Sequence, residues 1–264
     1  MFERIAIVGV GLIGGSIARA AARTWPAVEI TCVEAGQGIE AVAGAELVVL
    51  AAPVLANIAR LTELPPHLAP GAIVTDVSST KRLIAAAAAA IPGLNFIGGH
   101  PMAGSADGGA GNARADLFDR RPWILTPTAG HTDALQRLEA FVIALGGVPH
   151  IMAAELHDRF VAAVSHLPQL TASALMHVAG SLAGDAGLEI AGAGLHDTTR
   201  LAASAPGIWK DIAATNHDLL RDAIDTLVAA LQEMRDTLET GDGIDSVFTS
   251  AARWKEALDR SHRG

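Results

Sequence analysis

Tyrosine is absent from this 264-residue chain, and cysteine occurs once. A single thiol excludes an intrachain disulfide, and Cys32, inside an apolar strand-like run, reads as a small buried hydrophobe. Basic residues are scarce, 19 Lys and Arg against 28 Asp and Glu, which excludes the positive footprint needed for nucleic acid or an anionic membrane surface. No apolar run approaches the roughly 18 residues of a membrane span; even residues 83–91 stop at Pro92. Strand-like sequence begins by Arg4 and leaves no room for a signal peptide, so a soluble, cytoplasmic protein is expected. Disorder and coiled-coil rods are excluded by 50% hydrophobic and 18% charged residues. No repeat, linker or metal site is expected.

The length suffices for two domains with a substantial core. Residues 5–8 form a continuous apolar run, as in a parallel strand buried on both faces. Gly9-Val10-Gly11-Leu12-Ile13-Gly14 follows at once and leads into helical sequence over 17–24. Strand, glycine turn and helix in that order read as a dinucleotide-binding start. Gly9 allows the tight turn, Gly11 lets the backbone approach a pyrophosphate at the helix N-terminus, and Gly14 lets helix pack on strand. Gly9, Gly11, Leu12, Ile13 and Gly14 are the expected cofactor contacts. A second strand over 29–33 ends at Glu34, whose carboxylate suits the hydroxyls of an adenosine ribose and repels a 2′-phosphate. No Arg or Lys occurs from 35 to 50, which favours NAD over NADP.

The crossover to a third strand at 47–51 is so short that its helix must be very short or missing. Ala52 and Pro53 then turn the chain at that strand's carboxyl end, where ligands of open α/β sheets bind. A fourth strand over 73–76 passes through Asp76-Val77-Ser78-Ser79-Thr80-Lys81 into a helix, and a fifth over 95–98 delivers the loop Gly99-His100-Pro101-Met102-Ala103-Gly104-Ser105. A histidine beside the pair Gly98-Gly99 is a titratable group on a backbone built for close approach. Strands at 123–126 and 148–152, separated by a helix over 132–145, complete an α/β Rossmann-type domain with a mainly parallel sheet over 1–152.

Residues 153–264 carry helical periodicity and are expected to form an all-α domain. A helix over 153–167 is interrupted at Pro168, and a glycine-rich connector over 180–194 leads to Thr199-Arg200. Over 217–240, Leu220, Ile224, Leu227, Leu231, Met234 and Leu238 recur every three or four residues as a packing seam. An alanine-rich half has little core of its own, so a homodimer through this domain is expected.

Four polar residues stand out: Ser79, His100, His166 in Ser165-His166-Leu167-Pro168-Gln169, and Arg200. With the GxGxxG start, Asp76 to Lys81, Gly99 to Gly104, Ser165 to Pro168 and Thr199-Arg200-Leu201-Ala202, the chain resembles the prephenate and arogenate dehydrogenases of tyrosine biosynthesis over nearly its whole length. The resemblance implies oxidation of a cyclohexadienol by NAD with loss of the ring carboxylate. It implies that His100 draws off the carbinol proton, that Ser79 holds His100 and touches the same hydroxyl and the cofactor, and that Arg200 takes a substrate carboxylate. His166 and Ser105 would line the substrate pocket. Ala106 stands where the family usually carries an acidic residue, with Asp107 after it, so prephenate and arogenate both remain open as substrates. With no room for a regulatory or mutase domain, the enzyme is expected to be monofunctional. A β-hydroxyacid dehydrogenase would need a catalytic lysine on a glycine-rich helix, a context neither Lys210 nor Lys255 has. A nucleotide-sensing protein on the same fold would need neither His100 nor Arg200.

Overall fold

The computed structural model describes residues 1–104, 109–128 and 132–261. Its first part alternates strand and helix: β1 (Arg4–Val8), α1 (Leu12–Thr24), β2 (Glu29–Val33), β3 (Leu47–Leu50), α2 (Val54–Glu63), β4 (Ile73–Asp76), α3 (Arg82–Ala89), β5 (Phe96–Pro101), β6 (Pro122–Pro127), α4 (Thr132–Ala144) and β7 (Val148–Ile151). The seven strands form one sheet in the order β2-β1-β3-β4-β5-β6-β7, parallel except where β5 meets β6. Side chains alternate between its faces. Ile5, Ile7, Leu47, Val49 and Ile73 pack in one layer with Ile17 of α1 and Leu138 and Phe141 of α4. Ala6, Val8, Val48, Leu50 and Val74 pack in the other with Leu61 of α2 and Ile84 of α3. Burial on both faces is what the unbroken apolar runs require, and each fully buried Ile or Leu contributes about 1.5–3 kcal/mol.

Because β1 lies between β2 and β3, the chain reverses direction across the sheet there and opens a crevice at the carboxyl ends of β1 and β3. The crossover from β2 to β3 holds only a 3₁₀ turn, Ile39–Val42, as its length requires. Three readings are corrected. Cys32 is exposed, since β2 is an edge strand with one neighbour. His100 lies on a strand and not in a loop: pairing with β6 carries β5 through His100↔Ile124 to Pro101↔Trp123. The glycine-rich stretch after 180 is partly helical.

Helices follow: α5 (Ala154–Val161), a π-helical turn (Ala162–His166), α6 (Leu167–Leu188), α7 (Ala193–Thr198), α8 (Pro206–Thr215), α9 (His217–Asp236) and α10 (Asp242–Ser261). Gly184 breaks α6 with φ of 61°. The chain forms two compact units, Met1–His217 and Asp218–Gly264, so α5 to α8 belong to the same unit as the sheet. Within the second unit, the packing stripe keeps Leu227 and Met234 half-buried and Ile224, Leu231 and Leu238 exposed.

Candidate active site

The glycine turn is shaped by its neighbours. Gly9 has φ of 104°, and a Cβ there would lie 2.8 Å from the backbone of Ala51 and Ala52. Gly9 N–H donates to Val33 O at 2.9 Å, which brings the end of β2, and with it exposed Glu34, to the turn. A Cβ on Gly14 would overlap Gly9 O and lie 3.1 Å from Ile7 Cγ2, the close helix–strand approach expected of it. Gly11 differs, because among the described residues nothing lies within 4 Å of its Cβ position. No protein atom requires glycine at this first residue before α1, where free N–H groups and the helix dipole favour an anion. Buried Asn57 of α2 ties the adjoining loops together, accepting from Ala52 N at 3.1 Å and donating to Ala52 O at 2.8 Å and Ser78 Oγ at 3.0 Å.

In the loop from β4 to α3, most polar side chains are taken. Asp76 accepts from Ser78 N at 2.9 Å, and Thr80 Oγ1 lies 2.8 Å from Thr215 Oγ1. Half-buried Ser79 keeps its hydroxyl without a protein partner among the described residues. Lys81, with no exposure, pairs with Asp76 and donates to Gly99 O at 2.7 Å, while Gly99 N donates to Asp76 Oδ1 at 3.0 Å. The pairing of β4 with β5 ends at Thr75↔Ile97. Beyond it, this ion pair satisfies the backbone of Gly99 in place of a strand. The Gly98-Gly99 pair therefore admits the protein's own neighbouring chain: a Cβ at Gly98 would stand 3.1 Å from the Lys81 side chain at Cδ, and one at Gly99 2.5 Å from the backbone O of Asp76.

His100 is almost fully buried, and its Nδ1 lies 2.8 Å from Nε2 of His157 on α5. The sequence assigned the holding of His100 to Ser79; the structure gives it to His157, because the rings meet at 5.0 Å between centroids and 72° between planes. His157 Nδ1 lies 2.8 Å from Asp158 Oδ1, and Asp158 also accepts from the backbone N–H of Lys81 at 2.7 Å and Arg82 at 2.9 Å. Asp158 thus caps α3 from another helix. Burial raises its pKa, but the bonds from His157, Arg82 and Lys81 outweigh that and hold the carboxyl below the usual range. Burial first, then the neighbouring His157, Lys81 and His166, pushes His100 well below 6.5. The imidazole is neutral near pH 7 and its Nε2 has no partner among the described residues.

His166 ends the π-helical turn. Pro168 has no N–H to donate to the carbonyl of Val164 and its ring crowds that carbonyl, so the helix widens. His166 is buried with both ring nitrogens unpartnered among the described residues, edge-on to Trp209 at 6.0 Å, and burial drops its pKa to about 4. One turn on, Gln169 donates to Leu201 O at 2.7 Å and accepts from Ser204 Oγ at 3.2 Å, which fastens the segment bearing Arg200 to the start of α6. Arg200 itself is exposed, without a partner among the described residues and without contact to His100.

Residues 9–150 match the family model of the prephenate dehydrogenase nucleotide-binding domain, and residues 153–249 that of the prephenate dehydrogenase dimerization domain. The chain belongs to the prephenate dehydrogenase family. It is 31% identical to cyclohexadienyl dehydrogenase of Zymomonas mobilis over 99% of this chain and 98% of that one. With the prephenate dehydrogenase of Bacillus subtilis it shares 30% identity over 100% of this chain and 78% of that one. The Aquifex aeolicus prephenate dehydrogenase, solved with hydroxyphenyl propionate and NAD+, superposes with a TM-score of 0.88 at 26% identity, covering 98% and 99% of the two chains. Synechocystis arogenate dehydrogenase superposes with a TM-score of 0.78 at 28% identity, covering 98% of each.

Within this prephenate dehydrogenase family member, structure joins what the sequence kept apart. His100 and His166 share one electrostatic cluster with Lys81, His157 and Asp158, and Ser79 lies on the loop that Lys81 anchors. Among the described residues, the segment bearing Arg200 is fastened to the start of α6 by Gln169. Ser105, with Ala106 and Asp107, lies outside the described residues. Sequence reading missed Asp76, Lys81, His157 and Asp158 as a set. The signal available was a His-Asp pair early in the first helix after β7, which looks like an ordinary polar helix start until that helix is packed on α3.

Proposed function

We propose that this chain oxidises prephenate to 4-hydroxyphenylpyruvate, releasing the ring carboxylate as carbon dioxide and using NAD as hydride acceptor. The observation that carries the reading is the neutral His100 imidazole, anchored at Nδ1 and with no partner at Nε2 among the described residues, on a strand end of a dinucleotide-binding sheet. Support comes also from the Aquifex aeolicus neighbour, whose bound molecules are NAD+ and hydroxyphenyl propionate.

The open space at Gly11 fits the cofactor, since the backbone before α1 can receive a pyrophosphate that any side chain would push away. Gly9 and Gly14 hold that turn, with Leu12, Ile13, Ala52 and Pro53 around it and Glu34 toward the ribose. When bound, NAD accepts the hydride from the carbinol carbon. His100 Nε2 takes the hydroxyl proton as a general base. The Ser79 hydroxyl, without a protein partner among the described residues, bonds the same oxygen and orients it. Arg200 offers a bidentate guanidinium to a carboxylate, and His166 forms a wall of the pocket. Aromatisation drives the reaction, so the protein's task is orientation and one proton transfer.

We take residues 1–152 as the cofactor domain and 153–264 as the substrate and dimerisation domain of a cytoplasmic homodimer. The exposed apolar side chains of α9 support the dimer. The test is NADH and NADPH formation from prephenate and from arogenate. Fast NADH release with prephenate is the expected result; a preference for arogenate would reassign the substrate, and no turnover with either would overturn the reading.

A further inference from the structure

We infer that His157 and Asp158 are positioning residues that fix His100 in the Nδ1–H tautomer, leave Nε2 as the proton acceptor, and take up the positive charge formed when His100 is protonated. The inference rests on the reaction proposed above and on a one-way assignment of hydrogens. A carboxylate can only accept, so the 2.8 Å contact from His157 Nδ1 to Asp158 Oδ1 places the proton on Nδ1. A neutral His157 then has only a lone pair at Nε2. The 2.8 Å contact between His157 Nε2 and His100 Nδ1 must be donated by His100. The reverse arrangement would set the bare Nδ1 of His157 against a carboxylate oxygen, acceptor against acceptor.

The anchor at the far end is rigid. Asp158 has no exposure and is gripped by the two backbone N–H groups that open α3 and by Arg82 Nε at 3.3 Å. Asn216 donates to the backbone carbonyl of the same aspartate at 3.0 Å. A carboxylate so held is ionised before any proton moves. When His100 Nε2 accepts the substrate hydroxyl proton, its Nδ1 proton shifts toward His157 Nε2, and the positive charge settles beside Asp158. The carbinol C–H electrons leave as hydride to the nicotinamide, so the two imidazoles gain one proton in total and no other reactant is required.

The test uses the full chain with ¹⁵N-labelled histidine, together with His157→Leu and His157→Gln. Leucine removes the acceptor for His100, whereas glutamine offers its amide oxygen at a similar reach. In the unmodified protein at neutral pH, His100 is expected to show a protonated Nδ1 and an unprotonated Nε2. In His157→Leu that assignment is expected to collapse to a mixture, with kcat lowered roughly 10²-fold, the scale of a lost general base, and KM little changed. His157→Gln is expected to restore the Nδ1–H form and most of kcat. A protonated Nε2 in the unmodified protein, an unchanged tautomer in His157→Leu, or equal kcat in all three proteins would overturn the inference. If His157→Leu does not fold, the His100 tautomer in the unmodified protein and in His157→Gln decides it, and a protonated Nε2 in either overturns the inference. The spectra need no substrate, so an Nδ1–H His100 in a protein that turns over neither cyclohexadienol would uphold the tautomer and sink the reaction.

Discussion

At the scale of single residues, the site depends on groups kept neutral or ionised by where they are buried. His100 must be neutral to act as a base, and its pKa lies well below 6.5 because burial and the charge of Lys81 disfavour the imidazolium. Lowering the pH from 8 therefore should not reduce kcat/KM until the pH falls below 6.5; an acid limb at or above that value would assign the base to another group. His100→Asn should lower turnover roughly 10²-fold or more while a fluorescence titration shows NADH binding nearly unchanged. Lys81 is a different case. Its ammonium is pushed down by burial and supported by Asp76 and Asp158, and removing one partner of a buried pair costs about 3–5 kcal/mol. Urea unfolding of Lys81→Met should show a loss of that order, and adding Asp76→Asn should recover part of it. Equal stability for the single variant and the parent would mean that the pair does not hold β5.

At the scale of elements, strands and glycine turn follow from local chemistry, whereas the widened turn before α6 comes from one residue. Pro168 has no proton for the carbonyl of Val164, and His166 is turned inward as a result. In Pro168→Ala the missing hydrogen bond can form, the π turn can close to an α turn, and His166 changes its direction. The expected outcome is equal or higher thermal stability with kcat/KM lowered by roughly 10-fold, since displacements near 1 Å at a reacting centre can cost up to about 10²-fold. A fully active variant would exclude His166 from the pocket. The periodicity of residues 153–180 announces helix and the proline announces a break, but neither says on which side the break turns the histidine.

At the scale of the molecule, exposed Ile224, Val228 and Leu231 give α9 an apolar face that solvent does not favour on a lone surface helix. Sedimentation should give a dimer for the parent chain, and Leu231→Glu should shift the population toward monomer. A parent that sediments as a monomer at micromolar concentration would show that this face has another use.

The succession of strands along the chain, the glycine turn, the helical stretches and the motifs around Ser79, His100, His166 and Arg200 were determined by sequence alone, because each rests on contacts between near neighbours: turns that need glycine, apolar runs that need burial, helices that need period. The partnership of Asp76 with Lys81 across the end of β5, and of His157 and Asp158 with His100 and α3, was decided only by tertiary structure. Those residues are 5 to 77 positions from the groups they hold, and their charges have meaning only once packing removes the water that would otherwise satisfy them.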